Sequence, residues 1–112
     1  VLISSVAANR ALPGGAAVYS AAKAALAGLG ESLRTEMASS GIVVTTLRPG
    51  FVATELTDRA NTPYKSSLPR SVRSMIKAID AEVGDRVVPA WPWRPLSLLF
   101  AVTPARLLRR FF

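Results

Sequence analysis

The sequence contains neither cysteine nor histidine. Without thiols there is no disulfide framework and no cysteine nucleophile. Without either residue type, the usual zinc ligand sets and any Ser-His-Asp triad are excluded within these 112 residues. Chemistry here must use hydroxyls, amines or carboxylates. The lack of cysteine is compatible with a reducing compartment and no signal-peptide pattern opens the sequence, so a cytoplasmic setting is expected. Charged residues are sparse, at 19%, while 50% of the residues are hydrophobic. That balance can bury a core and excludes wholesale disorder. Long apolar runs are also missing. The longest nearly uncharged stretch, Pro95 to Ala105, falls well short of the ~20 residues of a membrane-spanning helix and contains Pro104, which excludes a span there.

The length fits one domain or part of one. The sequence starts at Val1 inside the apolar run VLISS, with no cap or turn before it, so these residues are expected to be the later part of a longer fold. The formal charge is +7, and it is unevenly spread. Residues 1–56 hold four cations against three anions, which leaves the basic excess in residues 57–112. A basic surface attracts nucleic acid, anionic lipid or an anionic cofactor. Lys65, Arg70, Arg73 and Lys77 lack the interleaved aromatics that stack bases, so a solvated face is expected there and nucleic acid is not an expected partner.

Val1–Ile3, apolar and β-branched before Ser4-Ser5, reads as a buried strand near residues 1–4 whose end meets a polar site. Pro13-Gly14-Gly15 marks a loop. Between Tyr19 and Ser39, Ala22, Leu26, Leu29, Leu33 and Met37 recur three or four apart, which predicts a helix over 19–38, with an Ala-rich face suited to close packing against another helix. Gly28 and Gly30 inside it mark either a close approach of another backbone or tolerated surface positions. Ile42–Leu47 is a β-branched run without alternation, expected of a strand covered on both faces, and Pro49-Gly50 stops it. Val72, Met75, Ile76, Ile79 and Val83 predict a second helix over 70–83, with Pro69 in its first turn, and a third strand is expected at 86–89. Thr103-Pro104 resembles the start of a last helical piece. The expected fold is α/β, a mainly parallel sheet of three strands with two main helices and a helical C-terminal tail.

Tyr19 and Lys23, four apart at a helix start, share one face. An isolated tyrosine titrates near ~10, too high for proton transfer at neutral pH, and a nearby ammonium favours its phenolate. A hydroxyl at the end of a neighbouring parallel strand, Ser5 or Ser4, could share the oxygen of a bound carbonyl with that tyrosine. In a parallel α/β sheet, ligands bind outside the carboxyl ends of the strands. Pro49-Gly50 lies at the same edge.

The order Ile3-Ser4-Ser5, Pro13-Gly14-Gly15, Tyr19-Ser20-Ala21-Ala22-Lys23-Ala24-Ala25 and Arg48-Pro49-Gly50-Phe51-Val52-Ala53-Thr54 resembles the C-terminal half of the short-chain dehydrogenase/reductase family. The resemblance is close across residues 1–55 and extends more loosely to about Trp93. It implies the C-terminal part of a Rossmann-type doubly wound parallel sheet, an NAD or NADP cofactor, and hydride transfer between an alcohol and a carbonyl. By resemblance, Tyr19 is the proton donor in reduction and the base in oxidation. Lys23 lowers the tyrosine pKa and hydrogen-bonds the nicotinamide ribose, and Ser5 orients the substrate oxygen. Pro49, Gly50, Val52 and Thr54 match the segment that contacts the nicotinamide carboxamide and the adjoining phosphate side. For Thr54, a helix N-cap before Glu55 is a compatible second role.

The family's glycine-rich fingerprint has no counterpart in this sequence, and Asn9 sits in the wrong element to replace the family's relay asparagine. These residues are therefore expected to be the second half of an oxidoreductase, catalytically silent in isolation. Residues 1–93 are expected to be the C-terminal portion of the NAD(P)-binding domain and 94–112 an apolar and basic tail. Three readings of that tail stand: it shapes the substrate pocket, it packs on its own domain or a partner subunit, or Trp91, Trp93, Phe111 and Phe112 rest in a lipid interface while Arg106, Arg109 and Arg110 face anionic headgroups. The family's corresponding long helix commonly forms a subunit interface, which makes a homo-oligomer the expected assembly. The competing reading is a non-enzymatic, basic, membrane- or partner-binding α/β module.

Overall fold

The computed structural model describes residues 1–58 and 64–110. Three short strands, β1 (Leu2–Ile3), β2 (Thr46–Pro49) and β3 (Asp85–Val88), form a parallel sheet in the order β1-β2-β3. Parallel neighbours need crossover connections, and α1 (Ala17–Glu36) and α2 (Leu68–Asp80) supply them. α3 (Ala90–Val102) and α4 (Ala105–Leu108) follow β3, and single 3-10 turns occur at Val6–Ala8 and Glu55–Thr57. The α/β class, three parallel strands, two crossover helices and helical tail match the expectation. Among the described residues no helix is long and apolar enough to cross a membrane.

The boundaries of β2 differ from those read in the sequence. Ile42 and Val43 are exposed and outside the ladder, and the strand runs from Thr46 to Pro49 rather than from Ile42 to Leu47. The partners set the limit. β2 pairs with Leu2–Ile3 on one side and Asp85–Val88 on the other, and a β-branched run with no strand beside it has nothing to bond. β3 likewise begins at Asp85 and stops at Val88, one residue before the expected end, because Pro89 has no N–H to continue a ladder.

Successive residues of β2 point to opposite faces, and each face receives a different helix. Thr46 faces α1, where a Cβ on Gly30 would come within 2.1 Å of the Thr46 hydroxyl and 3.0 Å of Leu2 Cδ1. Leu47, on the other face, packs with Val88 and with Ala78 of α2. The leucine stripe does not make the contact of α1 with the sheet. Its buried residues are Ser20, Ala27 and Gly30, while Ala22 and Leu29 are exposed and Leu26, Leu33 and Met37 only half-buried. Small residues let the helix axis approach the strands, and what comes close to Gly30 is the Thr46 and Leu2 side chains rather than another backbone. Gly28 has open space around it. α2 shows the same inversion, burying Ser71 and Ala78 and leaving Val72, Ile76 and Ile79 exposed.

This contrast yields a paired prediction for denaturant melts of the full-length protein. Gly30→Ala is expected to destabilise by about 1–3 kcal/mol through overpacking, whereas Gly28→Ala gains helix propensity and stabilises by up to about 1 kcal/mol. Equal shifts for the two variants would refute the close-packed α1 interface.

The tail closes the α1 face of the sheet. Trp93, Phe100 and Leu108 are buried with Val6, and Phe51, Val87 and Leu96 pack against them. Arg10 also donates to the Thr103 carbonyl at 3.2 Å. Phe111 and Phe112, named in the lipid reading, lie outside the described residues.

Candidate active site

β1 and β2 are parallel, so Ser4-Ser5 and Pro49-Gly50 leave the sheet at one edge. α1 packs along the sheet with its first turns beside that edge, and Gly14 and Gly15, both at φ +83°, form the turn that brings the chain there. A positive φ at two successive residues favours glycine at each. Ser20, buried in the first turns of α1, accepts a hydrogen bond from the Leu12 backbone N–H at 3.4 Å and ties that loop to the helix.

Lys23 and Ser4 fasten α1 to the end of β1 reciprocally. The Lys23 ammonium donates to the Ile3 carbonyl at 2.9 Å, and the Ser4 hydroxyl donates to the Lys23 carbonyl at 2.7 Å. Lys23 Nζ also lies 5.7 Å from the centroid of the Tyr19 ring, one helical turn back, within the range of a cation–π contact. Tyr19 is half exposed. These bonds separate the two candidate serines. Ser4 commits its hydroxyl proton to α1, whereas Ser5 accepts from the Ala7 N–H at 3.1 Å as the cap of the Val6–Ala8 turn and keeps its own proton to donate.

After β2, Pro49–Thr54 crosses the same edge and is held by a second bridge, Val52 to Ser66. Ala53 N–H donates to the Ser66 carbonyl and Ser66 N–H to the Phe51 carbonyl, each at 2.8 Å. Thr54 stands at the N-cap position of the Glu55–Thr57 turn, and its N–H donates to the Thr57 hydroxyl at 3.1 Å. Thr57 in turn donates to the Val52 carbonyl.

Ser5, Tyr19, Lys23, Pro49, Gly50, Val52 and Thr54 all line one cleft of about 580 Å³. Sequence reading missed the wall opposite α1. Leu68, Ser71, Val72 and Met75 of α2 line the same cleft, as do Phe51 and Thr57. Val72 and Met75, two members of the apolar pattern read for α2, were the available signal. The Ser71 hydroxyl is fully buried at this wall with no hydrogen-bond partner.

Asn9 does not reach the cleft; its side-chain oxygen accepts from Arg48. Arg48 also makes a two-pronged pair with Asp85, at 2.8 and 2.6 Å. Donating its hydrogen bonds to Asp85 holds the guanidinium above its ordinary pKa against the opposing effect of burial, with smaller charge contributions from Asp85 and Glu31, so Arg48 stays cationic. The pair links β2 to β3 and fixes the segment after Ser5. Among the described residues no group of three or more acidic, histidine or cysteine side chains could hold a metal ion.

Comparison with known proteins gives a consistent picture. The family model for short chain dehydrogenase matches residues 1–65. An uncharacterized oxidoreductase of Mycobacterium tuberculosis is 46% identical over 112 residues, covering 99% of this chain and 44% of that protein. An uncharacterized oxidoreductase of Myxococcus xanthus is 41% identical over 97 residues, covering 82% of this chain and 36% of that protein. The crystal structure of a short chain dehydrogenase from Burkholderia cenocepacia in complex with NADP superposes with a TM-score of 0.77 at 25% identity, covering 98% of this chain and 46% of that one. The chain thus spans less than half the length of the relatives it matches.

Proposed function

Because this chain belongs to the short-chain dehydrogenase/reductase family, we propose that the protein transfers hydride between a nicotinamide dinucleotide, NAD or NADP, and a small-molecule alcohol or carbonyl substrate. One observation carries the reading. A tyrosine, its lysine neighbour, a serine with an uncommitted proton and the Pro49–Thr54 segment converge on one cleft outside the carboxyl ends of parallel strands. The cleft fits the nicotinamide half of such a cofactor, since it has room for it and is lined by the Tyr19 and Lys23 polar groups and the backbone of Pro49–Thr54. Tyr19, Lys23, Pro49, Gly50, Val52 and Thr54 would hold that half, and the bound cofactor supplies or accepts the hydride.

The remaining work falls to the side chains. In reduction, Ser5 donates a hydrogen bond to the substrate oxygen and Tyr19 gives that oxygen its phenolic proton; in oxidation Tyr19 takes the proton back. Lys23, fixed by the Ile3 carbonyl, holds positive charge against the Tyr19 ring. Residues 1–93 act as the C-terminal portion of the dinucleotide-binding domain, and residues 94–112 as the tail that closes it. The assembly is a homo-oligomer, for which the exposed face of α1, with Val18 and Leu29, offers a contact. The setting is the cytoplasm, with the tail meeting a membrane surface.

Titrating the full-length protein with NADH and NADPH, then assaying a panel of ketones and aldehydes, tests the reading. Neither binding nor turnover would favour a non-enzymatic module. Ser5→Ala is expected to lower kcat/KM by about 10²-fold, with the Kd for the cofactor unchanged.

A further inference from the structure

α3 is apolar around most of its circumference, yet only one side of it is packed. Trp93, Ser97 and Phe100, spaced four and three apart, are buried against the sheet and Val6. On the opposite side Pro95, Leu98, Leu99 and Val102 face outward, with Leu98 71%, Leu99 57% and Val102 79% exposed. A helix that is apolar all round is normally covered on every side. An aliphatic ridge of this kind marks an interaction surface.

The charge around the ridge selects the occupant. Arg86, Arg94, Arg106, Arg109 and Arg110 are exposed, and no aspartate or glutamate occurs from residue 86 to residue 112. A second copy meeting this face through a two-fold axis would set cation against cation, and Asp85, the carboxylate beside Arg86 and Arg94, is already paired with Arg48. A bilayer with anionic headgroups satisfies both features at once, accepting the ridge at its acyl boundary and the guanidinium groups at its surface. At 13 residues α3 is too short to span, so it would lie in the plane of the interface.

We propose that Leu98, Leu99 and Val102 of α3, with Arg94 and the arginines of α4 and its end, form a docking surface for anionic phospholipid membranes. This deepens the tail's proposed membrane contact and is independent of the hydride chemistry, so a parent protein that turns over substrate but binds no vesicle refutes the surface alone.

The test is co-sedimentation of the full-length protein with vesicles of phosphatidylcholine, with and without phosphatidylglycerol, at low and high salt. Binding is expected only with phosphatidylglycerol and is expected to weaken as salt screens the headgroups. Arg106→Gln and Arg109→Gln, at exposed positions where folding is not at stake, should each weaken binding about fivefold. Leu98→Asp with Val102→Asp should abolish it with an unchanged melting temperature. Binding equal on both vesicle types, no binding to either, or arginine variants that bind like the parent would overturn the proposal. A change in oligomeric mass for the aspartate variant, with vesicle binding retained, would instead assign the ridge to a subunit contact and overturn it as well.

Discussion

Tyr19→Phe in the full-length protein is expected to lower kcat and kcat/KM together by about 10³-fold or more, the upper part of the range for removing a positioned proton donor. The substitution deletes one oxygen and keeps the ring. The Lys23 ammonium retains its contact with the ring face and its bond to the Ile3 carbonyl, so α1 stays fastened to β1. Tyr19 is 50% exposed, so losing the hydroxyl strands no buried partner, and the change in stability should stay within about 0.5 kcal/mol. Cofactor affinity should change little, because Lys23, the Pro49–Thr54 segment and the α2 wall are untouched. Steady-state kinetics, cofactor titration and a denaturant melt separate the outcomes. Turnover within tenfold of the parent would remove Tyr19 from the mechanism, whereas a parallel loss of cofactor binding with an unchanged melt would make its role that of holding the cofactor.

The residues of the cleft were legible because their signals are local. A four-residue spacing fixes Tyr19 and Lys23 on one helix face, and proline with glycine fixes the end of β2, whatever packs around them. The contact faces of the helices were less legible. Hydrophobic periodicity selects large side chains, and it pointed to Leu29 and Ile76, yet the close approach of α1 and α2 to the sheet runs through Ala27, Gly30, Ser71 and Ala78. Small residues carry little hydrophobic weight, so geometry and not hydropathy identifies them. The start of β2 was illegible for a different reason. Ile42–Val44 have strand propensity as strong as any segment here, but on the β3 side pairing is decided by where that strand starts, Asp85, some forty residues away in sequence. Trp93 combined both difficulties, since its contacts come from Gly50, Phe51, Tyr64 and Ser66, none of them near it in the chain.

The size of those contacts makes Trp93→Ala the substitution with the largest expected cost to the fold, about 3–5 kcal/mol for truncating a large buried aromatic. Typical domains hold only about 5–15 kcal/mol in total, so this loss alone brings the protein close to unfolding. Trp93 is 0% exposed, its ring meets Phe51 edge-on at 5.4 Å and Tyr64 at 6.0 Å, and its indole N–H donates to the Ser66 hydroxyl at 3.1 Å. Ser66 in turn bridges to Val52, so the indole braces the backbone that lines the cleft. Gly50 has the complementary shape, because a Cβ there would fall 2.1 Å from the indole ring. Gly50→Ala must therefore displace either the buried ring or the backbone of the cleft. Its cost should largely disappear in the Trp93→Ala background, a coupling that a double-mutant cycle reads directly. Trp93→Phe separates bracing from bulk. It keeps an aromatic ring but loses the bond to Ser66, a net loss of about 1–3 kcal/mol for a buried hydroxyl left without its donor. At temperatures where this variant is fully folded, the unfastened Phe51–Thr54 segment should raise the Kd for the cofactor, while the reacting groups on α1 stay in place and kcat at saturating cofactor changes little. A Kd equal to the parent's in a folded Trp93→Phe protein would confine Trp93 to the core and remove it from the positioning of the cleft.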